Sequence, residues 1–331
     1  MASIVLGIGT SHSPLLVLGG SQWEFRSHDD KRNKSLNTID GRIISYEELV
    51  AERGEPYALA SDPAGFPSLA ARAEAALDHI AAQLRAAKPD VVLVVGDDQG
   101  ELFSADNFPA LAVYRGEELV MKSAEHLKGM PPWADTDFWA GYRMDLPHRF
   151  PGAPDLANDL VKGLVIEGVD ITSCASVPDP AQRGFGHAFG FVIARLMKNN
   201  PLPLLPVMLN TYFPPNTPTA ARCREVGEKI ARVLAASSSP ARVAVVASGG
   251  LSHFLCEEAF DREIVAALRA NCASRLAAIP QEALLSGSSE IRNWVMLSGM
   301  VTHLRCDFTE YLPVYRTPAG TGIGLAFMTW R

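Results

Sequence analysis

Three short apolar runs along the chain each end on a small residue and pass into a polar cluster. Ile4–Gly9 leads into Thr10-Ser11-His12, Val91–Gly96 into Asp97-Asp98-Gln99, and Val243–Ala247 into Ser248-Gly249-Gly250-Leu251-Ser252-His253. Runs that are apolar at nearly every position, rather than at alternate ones, predict strands covered on both faces. Between them, Leu69, Ala73, Ala76, Leu77, Ile80 and Leu84 recur at helical spacing and predict a helix over Ser68–Ala87, with a second over Thr219–Ala235. Strands of this kind alternating with helices predict an α/β fold: a central, largely parallel or mixed sheet with helices on both faces. In such sheets ligands bind beyond the carboxyl ends of the strands. His12, Asp98-Gln99 and His253 are therefore expected to share one pocket.

Two stretches break the alternation. Ser21–Pro67 is polar and charge-rich and reads either as a surface excursion or as a lid over the strand ends; Lys122–Pro154 is irregular, with Met130-Pro131-Pro132-Trp133 and Pro147-His148-Arg149-Phe150-Pro151. No linker or repeat divides the chain, so the expectation is one domain, 1–331, with an inserted cap at about 21–67. The apolar N-terminus lacks a basic leader region and reads as a strand rather than a signal peptide. No apolar run approaches the length of a membrane span.

With 331 residues, of which 47% are hydrophobic and 20% charged, the chain can bury a sizeable core and falls outside disordered and fibrous compositions. A net charge of −7 with no Lys/Arg cluster gives no footprint for nucleic acid. The expected protein is soluble and cytoplasmic, with no nucleic-acid or membrane partner. Five cysteines without CxxC spacing predict reduced packing residues rather than a disulfide framework or thiolate zinc site.

The candidate chemistry rests on histidine. Of eight, His28, His79, His126 and His303 lie in polar, helical or charged contexts that suit solvated or structural roles, and His148 is a loop residue that could line a pocket. His12, His187 and His253 sit beside glycine or serine in tight polar turns. Gly184–Gly190 opens a helical stretch over Phe191–Lys198, and a helix N-terminus near His187 would keep its imidazole neutral. Ser286–Leu297 reads as a helix with Glu290 in its first turn; complementing the helix dipole accounts for that glutamate, and a ligand role is the alternative.

Taken in order, the Thr10-Ser11-His12-Ser13-Pro14 turn, the Asp98 strand end, Gly186-His187, the Ser248–His253 turn and the Glu290, Trp294, Gly299 helix resemble the class III extradiol ring-cleavage dioxygenases. The nearest types are the catalytic subunit of protocatechuate 4,5-dioxygenase and the gallate and 3-O-methylgallate enzymes, and the resemblance spans Ile4–Phe327. It implies that fold, as a single catalytic domain. It also implies Fe(II)-dependent extradiol cleavage of a catecholic aromatic acid with O2, in a homodimer or higher homo-oligomer. Carried over by position, His12 and Glu290 become metal ligands, His253 the acid/base residue, and His187 a catalytic residue near substrate or oxygen. Gln99 stands where that family has its second histidine ligand. Three readings follow: Gln99 ligates the metal, another group such as Asp97 or Asp98 or a loop histidine completes the triad, or the metal site is degraded. The rival functions are a metal-dependent hydrolase on the same fold and a metal-free binding homologue. Arg149, Arg183 and Arg316 are candidates to pair with a substrate carboxylate.

Overall fold

The computed structural model describes residues 1–126, 130–198 and 200–331. The His126 side chain and the part of the irregular stretch at 127–129 lie outside the described residues.

Eight strands form one sheet: β1 (Ser3–Thr10), β2 (Val91–Asp97), β3 (Leu111–Tyr114), β4 (Thr172–Cys174), β5 (Leu204–Leu209), β6 (Arg242–Ser248), β7 (Cys306–Tyr315) and β8 (Gly322–Trp330). Their spatial order is β7-β8-β1-β6-β2-β5-β3-β4. The three runs singled out in the sequence are therefore adjacent, and β1, β6, β2 and β5 run parallel at the centre. Antiparallel pairing of β8 with β1, of β7 with β8 and of β3 with β5 makes the sheet mixed towards both edges.

Period-two alternation inside these runs explains why they carry almost no polar residue. Along β2, Leu93 and Val95 enter one core while Val92 and Val94 enter the other; along β6, Val243, Val245 and Ala247 face the first and Ala244 and Val246 the second. The first core is closed by helices α3 (Pro154–Ile166), α5 (Ala220–Ala236) and α6 (Ile291–Met300); the second is closed by α2 (Phe66–Ala87) and by the short α4 (His187–Phe191), which continues as a π-helix over Val192–Met197. Helices thus cover both faces, as the pattern predicted. The predicted helical boundaries for α2 and α5 hold within two residues.

Four local expectations change. The 21–67 stretch, which breaks the alternation in sequence, is built of regular elements: it holds α1 (Trp23–Asp30), a two-stranded hairpin of Leu36–Asn37 and Ile43–Ile44, and a helix Tyr46–Arg53 started by a Ser45/Glu48 capping box. The helix after Gly186 starts earlier than expected, at His187. The Ser286–Leu297 segment is a 3₁₀ turn over Ser286–Glu290 followed by α6, so Glu290 is the N-cap rather than a first-turn residue. His303 lies in the turn beyond α6, where its Nε2 is 3.1 Å from the Ile4 carbonyl.

All five cysteines are free; Cys223 and Cys256 are buried, while the other three are half-buried. Among the described residues, no helix is long and apolar enough to cross a membrane.

One close approach sets the position of α6. The Trp294 ring lies against Gly9 of β1, and a Cβ on Gly9 would fall 2.0 Å from Trp294 Cζ3. The fully buried indole then donates from Nε1 to the Gly249 carbonyl at 2.8 Å, tying the helix that carries Glu290 to the β6 turn. Gly9→Ala is expected to destabilise the fold by about 1–3 kcal/mol through overpacking. A urea midpoint within error of wild type would refute that packing role.

Candidate metal centre

His12 follows the end of β1 by two residues, Gln99 follows β2 by two, and His253 lies on the turn after β6. Because these strands are parallel neighbours, their carboxyl ends open on one side and deliver all three side chains to one cavity of about 170 Å³, also lined by His187 and Glu290. Glu290 arrives from the opposite direction, at the head of α6. Its Oε2 accepts from the Gly250 backbone N at 2.6 Å and lies 3.3 Å from His12 Nε2, and its Oε1 is 3.5 Å from both His253 Nε2 and Gln99 Nε2.

The tautomer of His12 follows from its partners. Ser248 Oγ donates its hydrogen to the Ala188 carbonyl at 2.7 Å, so at 2.9 Å from His12 Nδ1 it must accept, and Nδ1 carries the proton. Nε2 then presents a lone pair to a carboxylate oxygen. It is a buried nitrogen with no hydrogen-bond partner among the described residues. Two buried acceptors facing each other are an arrangement that a cation between them resolves. Tyr142 OH donates to the His12 carbonyl at 2.8 Å, fixing the backbone of the same residue.

His187 is oriented in the same manner by a residue the sequence did not signal. Its Nδ1 is 2.8 Å from Glu101 Oε1. Burial would raise the Glu101 carboxyl, but the His187 hydrogen bond and charge outweigh it and hold it at about 2, so Glu101 accepts. Nε2 is the ring nitrogen left to offer. One ligand atom from each of His12, His187 and Glu290 lies within 4.8 Å of the others. Two imidazoles and one carboxylate make a donor set suited to a first-row divalent metal with open positions, and the unpartnered His12 Nε2 gives that ion a place. The residues present fit a metal.

The expectation that a helix N-terminus keeps His187 neutral does not hold by itself. Burial pulls the imidazolium down, yet the Glu101 hydrogen bond and charge override it and push the ring up to about 9. Asp97, 1% exposed, is raised by burial and by the charge of Glu290.

Gln99 is at the site, though its amide nitrogen rather than its oxygen faces the acids: Nε2 donates to Asp97 Oδ2 at 3.0 Å. Asp98, the other candidate at this strand end, turns away and accepts from the backbone N of Glu101, Leu102 and Phe103 at 2.7–2.9 Å, which folds the loop that carries Glu101. His253 sits beside the triad. Its Nδ1 is 2.9 Å from the Leu251 carbonyl and therefore donates, which leaves Nε2 directed at Glu290. The ring is packed under Gly287, where a Cβ would lie 2.1 Å from His253 Cδ2. His148 pairs with Asp145 away from the cavity, and Arg149 pairs with Glu118 at the surface. Arg183 donates to the Leu102 carbonyl at 3.4 Å. Arg316 does line the cavity, with its guanidinium held by Asp30 at 2.7 and 3.2 Å.

A family model described as the catalytic LigB subunit of aromatic ring-opening dioxygenase matches residues 59–326. The matched stretch takes in Gln99, Glu101, His187, His253 and Glu290, while His12 and α1 precede it. Among curated proteins, none matches this chain.

Proposed function

From the premise that the chain belongs to the LigB family of catalytic subunits of aromatic ring-opening dioxygenases, we propose that it cleaves a catecholic aromatic acid of gallate, 3-O-methylgallate or protocatechuate type beside its diol, using O2 and one Fe(II). The observation that carries this reading is the unpartnered lone pair of His12 Nε2 facing Glu290, with His187 completing a two-imidazole, one-carboxylate set. The whole chain, 1–331, is read as one catalytic domain, with part of 21–67 forming a wall over the strand ends.

His12, Glu290 and His187 are the residues that would hold the ion. Glu101 supports His187 over Gln99 as the third ligand, because an imidazole whose Nδ1–H is fixed by a carboxylate is an oriented and more basic donor. The proton on the other ring nitrogen is the one metal binding releases. When bound, the ion supplies a redox-active centre at which diol and O2 meet.

The remaining steps belong to the protein. His253 takes a proton from a ring hydroxyl at Nε2, the nitrogen left open because Leu251 O holds Nδ1–H. The imidazolium so formed is stabilised by the Glu290 carboxylate 3.5 Å away, and the proton is returned as the ring opens. Phe254 and Ile323 provide the apolar walls of the cavity and limit the entry of water.

The test is reaction of anaerobically Fe(II)-loaded protein with the three diol acids under ¹⁸O-labelled O2. Uptake of one O2 per ring, with both atoms in a product opened next to the diol, is expected. No oxygen uptake with any of the three would overturn the reading. The ligand choice is tested separately through metal affinity: Glu101→Gln is expected to weaken Fe(II) binding by about 10- to 100-fold, and Gln99→Ala to change it by much less. The reverse pattern would make Gln99 the third ligand.

A further inference from the structure

α1 brings Arg26 into the same cavity as His12, His253 and Glu290. The side chain is only 18% exposed, and no hydrogen bond to its guanidinium exists among the described residues. Its nearest carboxylate oxygen, Asp29 Oδ2, is 3.7 Å away. That carboxylate is already engaged, with Arg32 on Oδ1 at 2.9 Å and Trp133 Nε1 on Oδ2 at 3.1 Å. The second acid of α1, Asp30, is taken by two hydrogen bonds from Arg316 and one from Thr321.

Of the two arginines lining the cavity, Arg316 is thus tightly paired, whereas Arg26 has a looser ion pair, at 3.7 Å, to a carboxylate shared with Arg32 and Trp133. Burial and the charge of Arg316 outweigh the charges of Asp30 and Asp29 and pull the Arg26 guanidinium below its ordinary value, which an incoming anion would offset. The guanidinium also lies over the Trp133 ring, 5.1 Å from its centroid, a cation–π contact that favours the charged form. A second cavity of about 370 Å³, walled by Trp133, Trp139 and Met130, shares Arg26 and His187 with the first, so Arg26 stands where the two meet.

We propose that Arg26 is the anchor for the anionic ring substituent of the substrate, pairing its guanidinium fork with an aromatic carboxylate while the diol end reaches His253 and the triad. The inference rests on the ring-opening reading for the diol end alone; the carboxylate subsite stands on Arg26 and its surroundings. An arginine and a carboxylate make two parallel charge-assisted bonds, and in a largely desolvated cavity these discriminate against a ligand that lacks the anion. α1 belongs to the charge-rich 21–67 segment and, like His12, precedes the stretch matched to the family. Acidic catechols, rather than catechol itself, are the substrate class the subsite selects.

The test compares wild type, Arg26→Met and Arg26→Lys, each checked for native circular dichroism, in two assays. In the first, KM for protocatechuate and for catechol is measured on Fe(II)-loaded full-length protein. Arg26→Met is expected to raise KM for protocatechuate by about 10- to 100-fold and to leave that for catechol within about 2-fold. Arg26→Lys should recover part of the loss, since it restores the charge without the fork. The second assay titrates benzoate, which has no diol, into metal-free protein by calorimetry. Wild type is expected to bind it and Arg26→Met to bind at least about 10-fold more weakly. Equal KM changes for protocatechuate and catechol, or benzoate binding indifferent to Arg26→Met, would overturn the anchor. Benzoate binding that depends on Arg26 in a protein that opens no ring would retain the anchor and refute the ring-opening reading.

Discussion

Glu290→Gln is expected to abolish metal retention and ring opening while leaving the fold intact. Glutamine keeps the volume and still accepts from Gly250 N, the 2.6 Å bond that seats the side chain, so the backbone around it has no reason to move. What disappears is the negative charge facing His12 Nε2 at 3.3 Å and His253 Nε2 at 3.5 Å. Loss of a group that merely orients a ligand costs about 10- to 100-fold in metal affinity, and loss of the ligand itself should exceed the upper end of that range. His12→Ala should behave alike, because its Nε2 is the lone pair that Ser248 and Ala188 hold in place. Metal content after anaerobic loading and desalting is the measurement. Wild-type iron in both variants would remove Glu290 and His12 from the ligand set.

His253→Gln gives the second large effect and separates proton transfer from metal binding. His253 stands outside the group whose ligand atoms lie within 4.8 Å of one another, yet its Nε2 faces the same carboxylate. As acid/base residue its removal should lower turnover by about 10²- to 10⁴-fold with iron content unchanged. A variant that loses its iron would make His253 a ligand, and one that keeps full turnover would leave the ring proton without an acceptor.

Three of the four central parallel strands, β1, β2 and β6, were legible in the sequence because each is buried on both faces and so carries an uninterrupted apolar signal; the fourth, β5, is interrupted by Pro206, and the spatial order of the strands was not encoded locally. The polar residues just past their ends follow from the geometry of a parallel sheet, which is why the sequence alone puts His12, Gln99 and His253 in one cavity. Glu290 was ambiguous for a physical reason: a glutamate at a helix start is stabilised by the helix whether or not it binds anything. The Glu101–His187 pair had no local signature, since the two residues are 86 positions apart and meet only when the loop folded by Asp98 packs on α4. Arg26 was hidden in the opposite way. It sits in a charge-rich segment whose arginines all look solvated in sequence, and only the pairing of Asp30 with Arg316 and of Asp29 with Arg32 and Trp133 leaves it loosely paired at the cavity. Gln99 was correctly placed at the strand end, but which amide atom faces the acids is set by Asp97, two residues back, together with Glu290 from α6, and the second of these is a tertiary contact that spacing cannot encode.

The central claim is that one metal ion is held by His12, His187 and Glu290. Anomalous diffraction at the iron edge from anaerobically Fe(II)-loaded crystals addresses it directly. The expected result is a single peak within bonding distance of those three side chains, with His253 close by but unbonded. A peak bonded by neither His12 nor Glu290, or no peak in that cavity at full iron loading, would contradict the account.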